Sequence, residues 1–139
     1  MKSIVCTTTG LIGSGVAYLF GGWDASIQTL LIFMVIDYIS GLLVAGVFKK
    51  SKKTETGGIQ SNACFKGLIK KCMVLVFVII GYRLDLMIGG TYVRDGVCIT
   101  FIVNEVISIT ENAGLMGIQL PPVIEGALDI LNKKVEPHE

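Results

Sequence analysis

Residues Ala25 to Phe48 make 24 positions with one charge, Asp37, near the middle. A helix rises about 1.5 Å per residue and needs roughly 20 apolar residues to cross a bilayer, so this segment is long enough to span one. An acid at the centre of a spanning helix costs roughly 2.5–3.5 kcal/mol on insertion scales. A carboxyl group kept at that depth needs a partner or a wet surface. Asp37 is therefore the first candidate functional residue.

The rest of the chain repeats the pattern. Ser3 to Gly22 is a weaker apolar span, diluted by Thr7, Thr8, Thr9 and several glycines. Gly13, Ala17 and Gly21 recur every four residues in it, which predicts a small-residue face where another helix can approach closely. Gly41 and Ala45 repeat that spacing late in the second span. Trp23 suits a headgroup boundary. Cys72 to Gly90 reads as a third span, with a helix onset already at Asn62, and Gly96 to Ile118 as a fourth. The N-terminal run lacks an A-x-A-like cleavage site and is longer than a usual signal core, so an uncleaved first span is expected.

The predicted fold class is an all-α membrane protein. Its membrane domain covers residues 1–118, with four transmembrane helices near 3–22, 25–48, 72–90 and 96–118. Pro121-Pro122 ends the fourth. Residues 119–139 then form an amphipathic helix and tail, with Val123, Ile124, Ala127, Leu128 and Leu131 on one face. That helix is expected to lie on the membrane surface, or to dock on a partner protein.

Charge sets the topology. Lys49, Lys50, Lys52, Lys53, Lys66, Lys70 and Lys71 lie between spans two and three, against Glu55 as the single acid. An excess of lysine marks the cytoplasmic side, and such a loop also attracts anionic lipid. Both termini are then cytoplasmic. The loop has no arginine and little aromatic interleaving, so nucleic acid is not an expected partner.

Composition narrows the function. The chain has 139 residues, 52% hydrophobic and 17% charged, with a mean hydropathy of +0.69. Cys6, Cys64, Cys72 and Cys98 form no C-x-x-C, and His138 is the one histidine. No metal, cofactor or catalytic set is expected. What stands out are polar residues inside the spans: Asp37, Arg83, Asp85, Asn104, Glu105, Glu111 and Asn112. Counting eleven residues from Phe48 back to Asp37, and eleven from Cys72 on to Arg83, puts both roughly 16 Å from the inner edge. Asp37 and Arg83 are thus expected to pair, with Glu105 competing for the same guanidinium. Pairing within one copy, pairing between subunits around a wet lumen, and an ion relay all remain open at this point.

Two runs resemble a known family. Asp37-x-x-Ser40-Gly41, then the lysines, then Ser61-x(4)-Lys66-Gly67-x-x-x-Lys71 are similar to the phage lysis and toxin-secretion holins. Glu105-x-x-Ser108-Ile109-x-Glu111-Asn112-x-Gly114-x-x-Gly117-x-x-x-Pro121 is the more specific match. The resemblance covers about residues 25–134. It implies a non-enzymatic protein of the bacterial cytoplasmic membrane that forms homo-oligomers and opens large lesions. Its partners are then the lipid bilayer and other copies of itself, with an endolysin or toxin as released cargo rather than a tight binder. Many holins have a second start codon a few residues in; here the next methionine, Met34, lies inside the second span.

Overall fold

A computed structural model describes residues 1–135, and no strand occurs among them. The five helices are α1 (Lys2–Leu19), α2 (Ala25–Leu43), α3 (Ser61–Ile88), α4 (Val93–Leu115) and α5 (Pro122–Val135). His138 and the end of the predicted tail lie outside the described residues.

Helix ends follow local chemistry. The Asp24 carboxylate accepts the Ile27 N–H at 3.1 Å and starts α2 as an N-cap. At the end of α1, Gly22 N–H donates to Ala17 O at 2.8 Å and Gly21 N–H to Tyr18 O at 3.2 Å. This is a Schellman turn, and Gly21 takes the left-handed φ of +78° that it needs. The same turn closes α4 at Gly117, with Ile118 N–H on Ala113 O at 2.9 Å. The predicted fourth span, 96–118, is therefore a helix over 93–115, because Gly117 lies beyond its end.

These ends correct the small-residue face. Gly21 does not share a helix face with Gly13 and Ala17, since α1 has already stopped at Leu19. A side chain there would also sit 2.5 Å from the Tyr82 ring. Gly13 has open space around it.

Three helices bury one stripe each. Along α2 the stripe is Ile27, Leu30, Met34 and Asp37; along α3 it contains Val78, Gly81 and Asp85; along α4 it contains Arg94, Cys98, Ile102 and Glu105. Spacings of three and four residues put each set on one face. Ile27, Leu30, Met34, Val78, Cys98 and Ile102 make a continuous apolar core. Helix α4 is the hub, packed against α2 and α3, which touch each other little. Gly81 lets α3 approach α4, where an ideal Cβ would lie 3.1 Å from Arg94 Cα. α2 continues as a π-helical turn (Val44–Phe48) that ends at Lys49 with φ of +51°.

Two helices stand outside this core. No residue of α1 is buried; its end alone meets the bundle, through Gly21 on Tyr82 and the Phe20 carbonyl on Arg94. α5 is the amphipathic helix expected after Pro121-Pro122, and it has a neighbour within the chain. It packs against α4 and runs back toward the start of α4, so that Lys134 and Val135 share a groove with Tyr92 and Phe101. Leu128, Leu131 and Val135 are half-buried, while Val123, Ile124 and Ala127 of the same apolar face stay exposed.

By length and composition, Ala25–Phe48 is the one helical segment among the described residues apolar enough to cross a membrane, with a mean hydropathy of 2.3.

Gly13 and Gly21 separate by mutation. Gly21→Ala forces a side chain into left-handed backbone and into Tyr82, and is expected to lower the thermal midpoint in detergent, at a cost of about 1–3 kcal/mol. Gly13→Ala removes a mid-helix glycine in open space, and is expected to leave that midpoint unchanged or raise it.

Candidate functional site

Two polar layers close the two ends of the apolar core. The outer layer is built around Arg94, 5% exposed. Its guanidinium donates to Asp24 Oδ2 at 2.7 Å and Oδ1 at 3.1 Å, to Asp95 Oδ1 at 3.1 Å, to Gly22 O at 3.3 Å and to Phe20 O. Asp85 accepts the Val93 and Arg94 N–H groups, each at 2.9 Å, and so caps α4 from α3. One arginine thus ties the α1–α2 turn to the start of α4. Hydrogen bonds from that guanidinium hold the Asp24 carboxyl below the usual carboxylate range.

The inner layer lies about 20 Å away along α2, thirteen residues on from Asp24. Lys71 Nζ donates to Asp37 Oδ2 at 2.7 Å and to Glu105 Oε2 at 2.6 Å. Asn112 Nδ2 donates to Asp37 Oδ1 at 3.2 Å and to Ser40 Oγ at 2.8 Å. The Ser40 hydroxyl donates to Asp37 O at 3.0 Å. Each of α2, α3 and α4 contributes at least one of these groups. No buried side-chain nitrogen or oxygen among the described residues lacks a hydrogen-bond partner. Two carboxylates share one ammonium, so the ionised triad carries one surplus negative charge.

The triad faces a cavity of about 280 Å³, half open, between the inner ends of α2, α3 and α4 and the 49–60 connection. Asn104 and Glu111 line it without entering the triad. Lys52, Lys53 and Lys70 line it as well, whereas Lys49, Lys50 and Lys66 lie elsewhere. Gly41 and Ala45 also face it, and an ideal Cβ on Gly41 would lie 3.8 Å from Asn112 Nδ2.

The expected Asp37–Arg83 pair does not form. Arg83 is exposed and has no carboxylate partner among the described residues. The depth count failed because α3 starts at Ser61, so the chain has already risen about 15 Å when it reaches Lys71. Lys71, read from sequence as a topology signal, is the residue at Asp37's depth. Arg83 lies twelve residues, about 18 Å, further along. Asp85 belongs to the outer layer rather than to the ions around Asp37.

Lys71, Arg94, Asp24 and Asp95 are the members that sequence reasoning missed. A signal was present: Gly67, Lys71, Val74, Val78, Gly81 and Asp85 recur at alternating four- and three-residue steps. That spacing places Lys71 on the stripe that packs inward.

Removing the shared cation is expected to do more harm than removing one of its acids. Lys71→Met leaves two facing carboxylates without a counter-charge and should cost about 3–5 kcal/mol in unfolding in detergent. Asp37→Asn keeps a balanced Lys71–Glu105 pair and should cost much less. Adding Asp37→Asn and Glu105→Gln to Lys71→Met should recover most of the loss. In the outer layer, the contribution of the depressed Asp24 pKa is complete above the ordinary aspartate range near 3.9 and is lost as pH falls through the lower folded value. Acid unfolding of Asp24→Asn should therefore lose that part of the pH dependence.

The sequence is 38% identical over 128 residues to an uncharacterized protein of Listeria monocytogenes, covering 90% of this chain and 86% of the relative. It is 34% identical over 135 residues to an uncharacterized protein of Clostridium perfringens, covering 94% of each. It is 29% identical over 116 residues to a protein of Bacillus phage phi105 named probable holin, covering 83% of this chain and 79% of that one. No solved structure matches it significantly. Residues 14–133 match the bacteriophage holin family, which implies a membrane protein, and the chain belongs to that family.

Proposed function

We propose that this protein is a holin that accumulates in the bacterial cytoplasmic membrane, self-associates there and opens lesions through which an endolysin or a toxin leaves the cell. Its helices α1 to α4 are the four spans of this reading, with the N-terminus and the lysine-bearing 49–60 connection on the cytoplasmic side. The reading gives the chain no catalytic role.

The observation that carries the reading is the state of α1. An 18-residue helix is about 27 Å long, close to a hydrocarbon thickness of about 30 Å. It buries nothing against its own chain, and Gly10, Gly13 and Gly15 have open space around them. In lipid, small residues let helix backbones approach, and packing then holds the pair. A helix tethered only at Phe20–Asp24 is free to find that packing on another copy. The buried ions already pair within one copy, so they support its fold and leave self-association to α1.

Induced expression tests the function. A holin should stop growth abruptly and release cytoplasmic enzymes when an endolysin is co-expressed. A graded, ion-selective conductance without protein release would indicate a small channel using the Asp37–Lys71–Glu105 cluster instead. Gly13→Leu with Ala17→Leu fills the face of α1 and should abolish chemically crosslinked oligomers while leaving membrane insertion intact; oligomers that persist would remove α1 as the seam. Labelling of a cysteine placed at Lys50 should occur only from the cytoplasmic side.

A further inference from the structure

The mouth of the inner cavity carries lysines that form no ion pair with the triad. Lys71 is paired with two carboxylates. Lys52, Lys53 and Lys70 line the same cavity, are exposed, and pair with no carboxylate among the described residues.

The first two sit on a folded turn. Lys53 N–H donates to Ser51 Oγ at 3.3 Å, Ser51 N–H to Gly57 O at 3.0 Å and Thr54 Oγ1 to Gly58 O at 2.9 Å. Gly57, at φ of +74°, fits so closely that a Cβ would lie 2.2 Å from Lys49 O. The turn therefore presents two ammonium groups from a fixed backbone, and α3 supplies the third.

Exposed apolar surface reaches the same cavity at one residue: Ile59, 59% exposed, lines the cavity with these lysines and packs on Gly46. Gly46 belongs to the π-helical turn, which also carries Val47 and Phe48, 69% and 41% exposed. Fixed cations beside bare apolar side chains match a molecule with an anionic head and a hydrocarbon body. A free phosphate would satisfy the lysines and leave the apolar surface in water.

We propose that this mouth binds the headgroup of one anionic phospholipid, its phosphodiester oxygens on Lys52, Lys53 and Lys70 and its acyl chains along Val47, Phe48 and Ile59. Diffuse attraction of a basic loop to an anionic surface is general; a site differs because it depends on which lysines are present and not on how many. The inference goes beyond lesion formation and needs only that the chain is in a membrane.

The test uses the full chain in detergent, with native mass spectrometry reading retained lipid after exchange with phosphatidylglycerol or phosphatidylcholine. Lys52→Gln/Lys53→Gln/Lys70→Gln removes the mouth, and Lys49→Gln/Lys50→Gln/Lys66→Gln removes the same formal charge elsewhere. The wild type and the second variant should retain one phosphatidylglycerol in preference to phosphatidylcholine. The first variant should retain it at least roughly tenfold less, and Arg at the same three positions should restore it. Equal loss in both triple variants, or loss in neither, overturns the site. Displacement of the lipid by millimolar glycerol 3-phosphate would make it a soluble-anion site and overturn the lipid assignment. If the first variant does not fold, Lys53→Gln against Lys49→Gln gives the same comparison. Because lipid retention is read without any lysis, failure here and failure of the lesion-forming reading are distinguishable.

Discussion

The Lys71 ammonium, held between Asp37 and Glu105, is the contact on which the inner half of this bundle depends. It joins α2, α3 and α4 at one point. α2 and α3 approach each other less closely than either approaches α4, so Lys71 adds an electrostatic link to the packing they share around Val78. The balance is narrow. A second carboxylate beside a buried pair is unfavourable unless other groups satisfy its oxygens, and Asn112 does this for Asp37 by a hydrogen bond to Oδ1. Both of Asp37's oxygens are thus engaged by donors from neighbouring helices.

The core has a layered order along its axis. Arg94 with Asp24 and Asp95 closes one end; Lys71 with Asp37 and Glu105 closes the other; Ile27, Leu30, Met34, Val78, Cys98 and Ile102 fill the distance between them. Apolar packing against lipid gives little register, since lipid tails are as apolar as the side chains. Two ionic layers separated by about 20 Å fix the sliding and rotation of α2 against α4 at both ends. The same order leaves α1 free along most of its length, attached only through its C-terminal turn.

Much of this was legible in the sequence. The helical class, the 25–48 segment and the helix onset near Asn62 follow from hydrophobic length and from turn residues, whereas the fourth helix ends at Leu115 through the Gly117 turn, before Pro121-Pro122, and Pro122 opens α5 instead. The resemblance to holins, carried by the run from Glu105 to Pro121, is matched by the family assignment over residues 14–133. The candidate residues Asp37, Glu105 and Asn112 do meet. Their cation did not emerge, because a lysine beside a lysine-rich loop reads as a topology signal. Only the four- and three-residue spacing through Val78 and Asp85 shows that Lys71 belongs to the inward stripe, whereas Lys70 is exposed at the cavity mouth. Gly21 misled in the other direction: its four-residue spacing from Ala17 looks like a helix face, but it is the left-handed residue that ends the helix. For α5, amphipathicity fixed which face is apolar but not its contact with α4.

The most direct test is a solid-state NMR distance measurement on the full chain in lipid bilayers, with 15N-labelled lysine side chains and 13C-labelled aspartate and glutamate carboxyls. The account predicts strong dipolar coupling from Lys71 Nζ to the carboxyl carbons of both Asp37 and Glu105, lost in Lys71→Gln. Coupling of Asp37 to the Arg83 guanidinium instead, with none to Lys71, would contradict it.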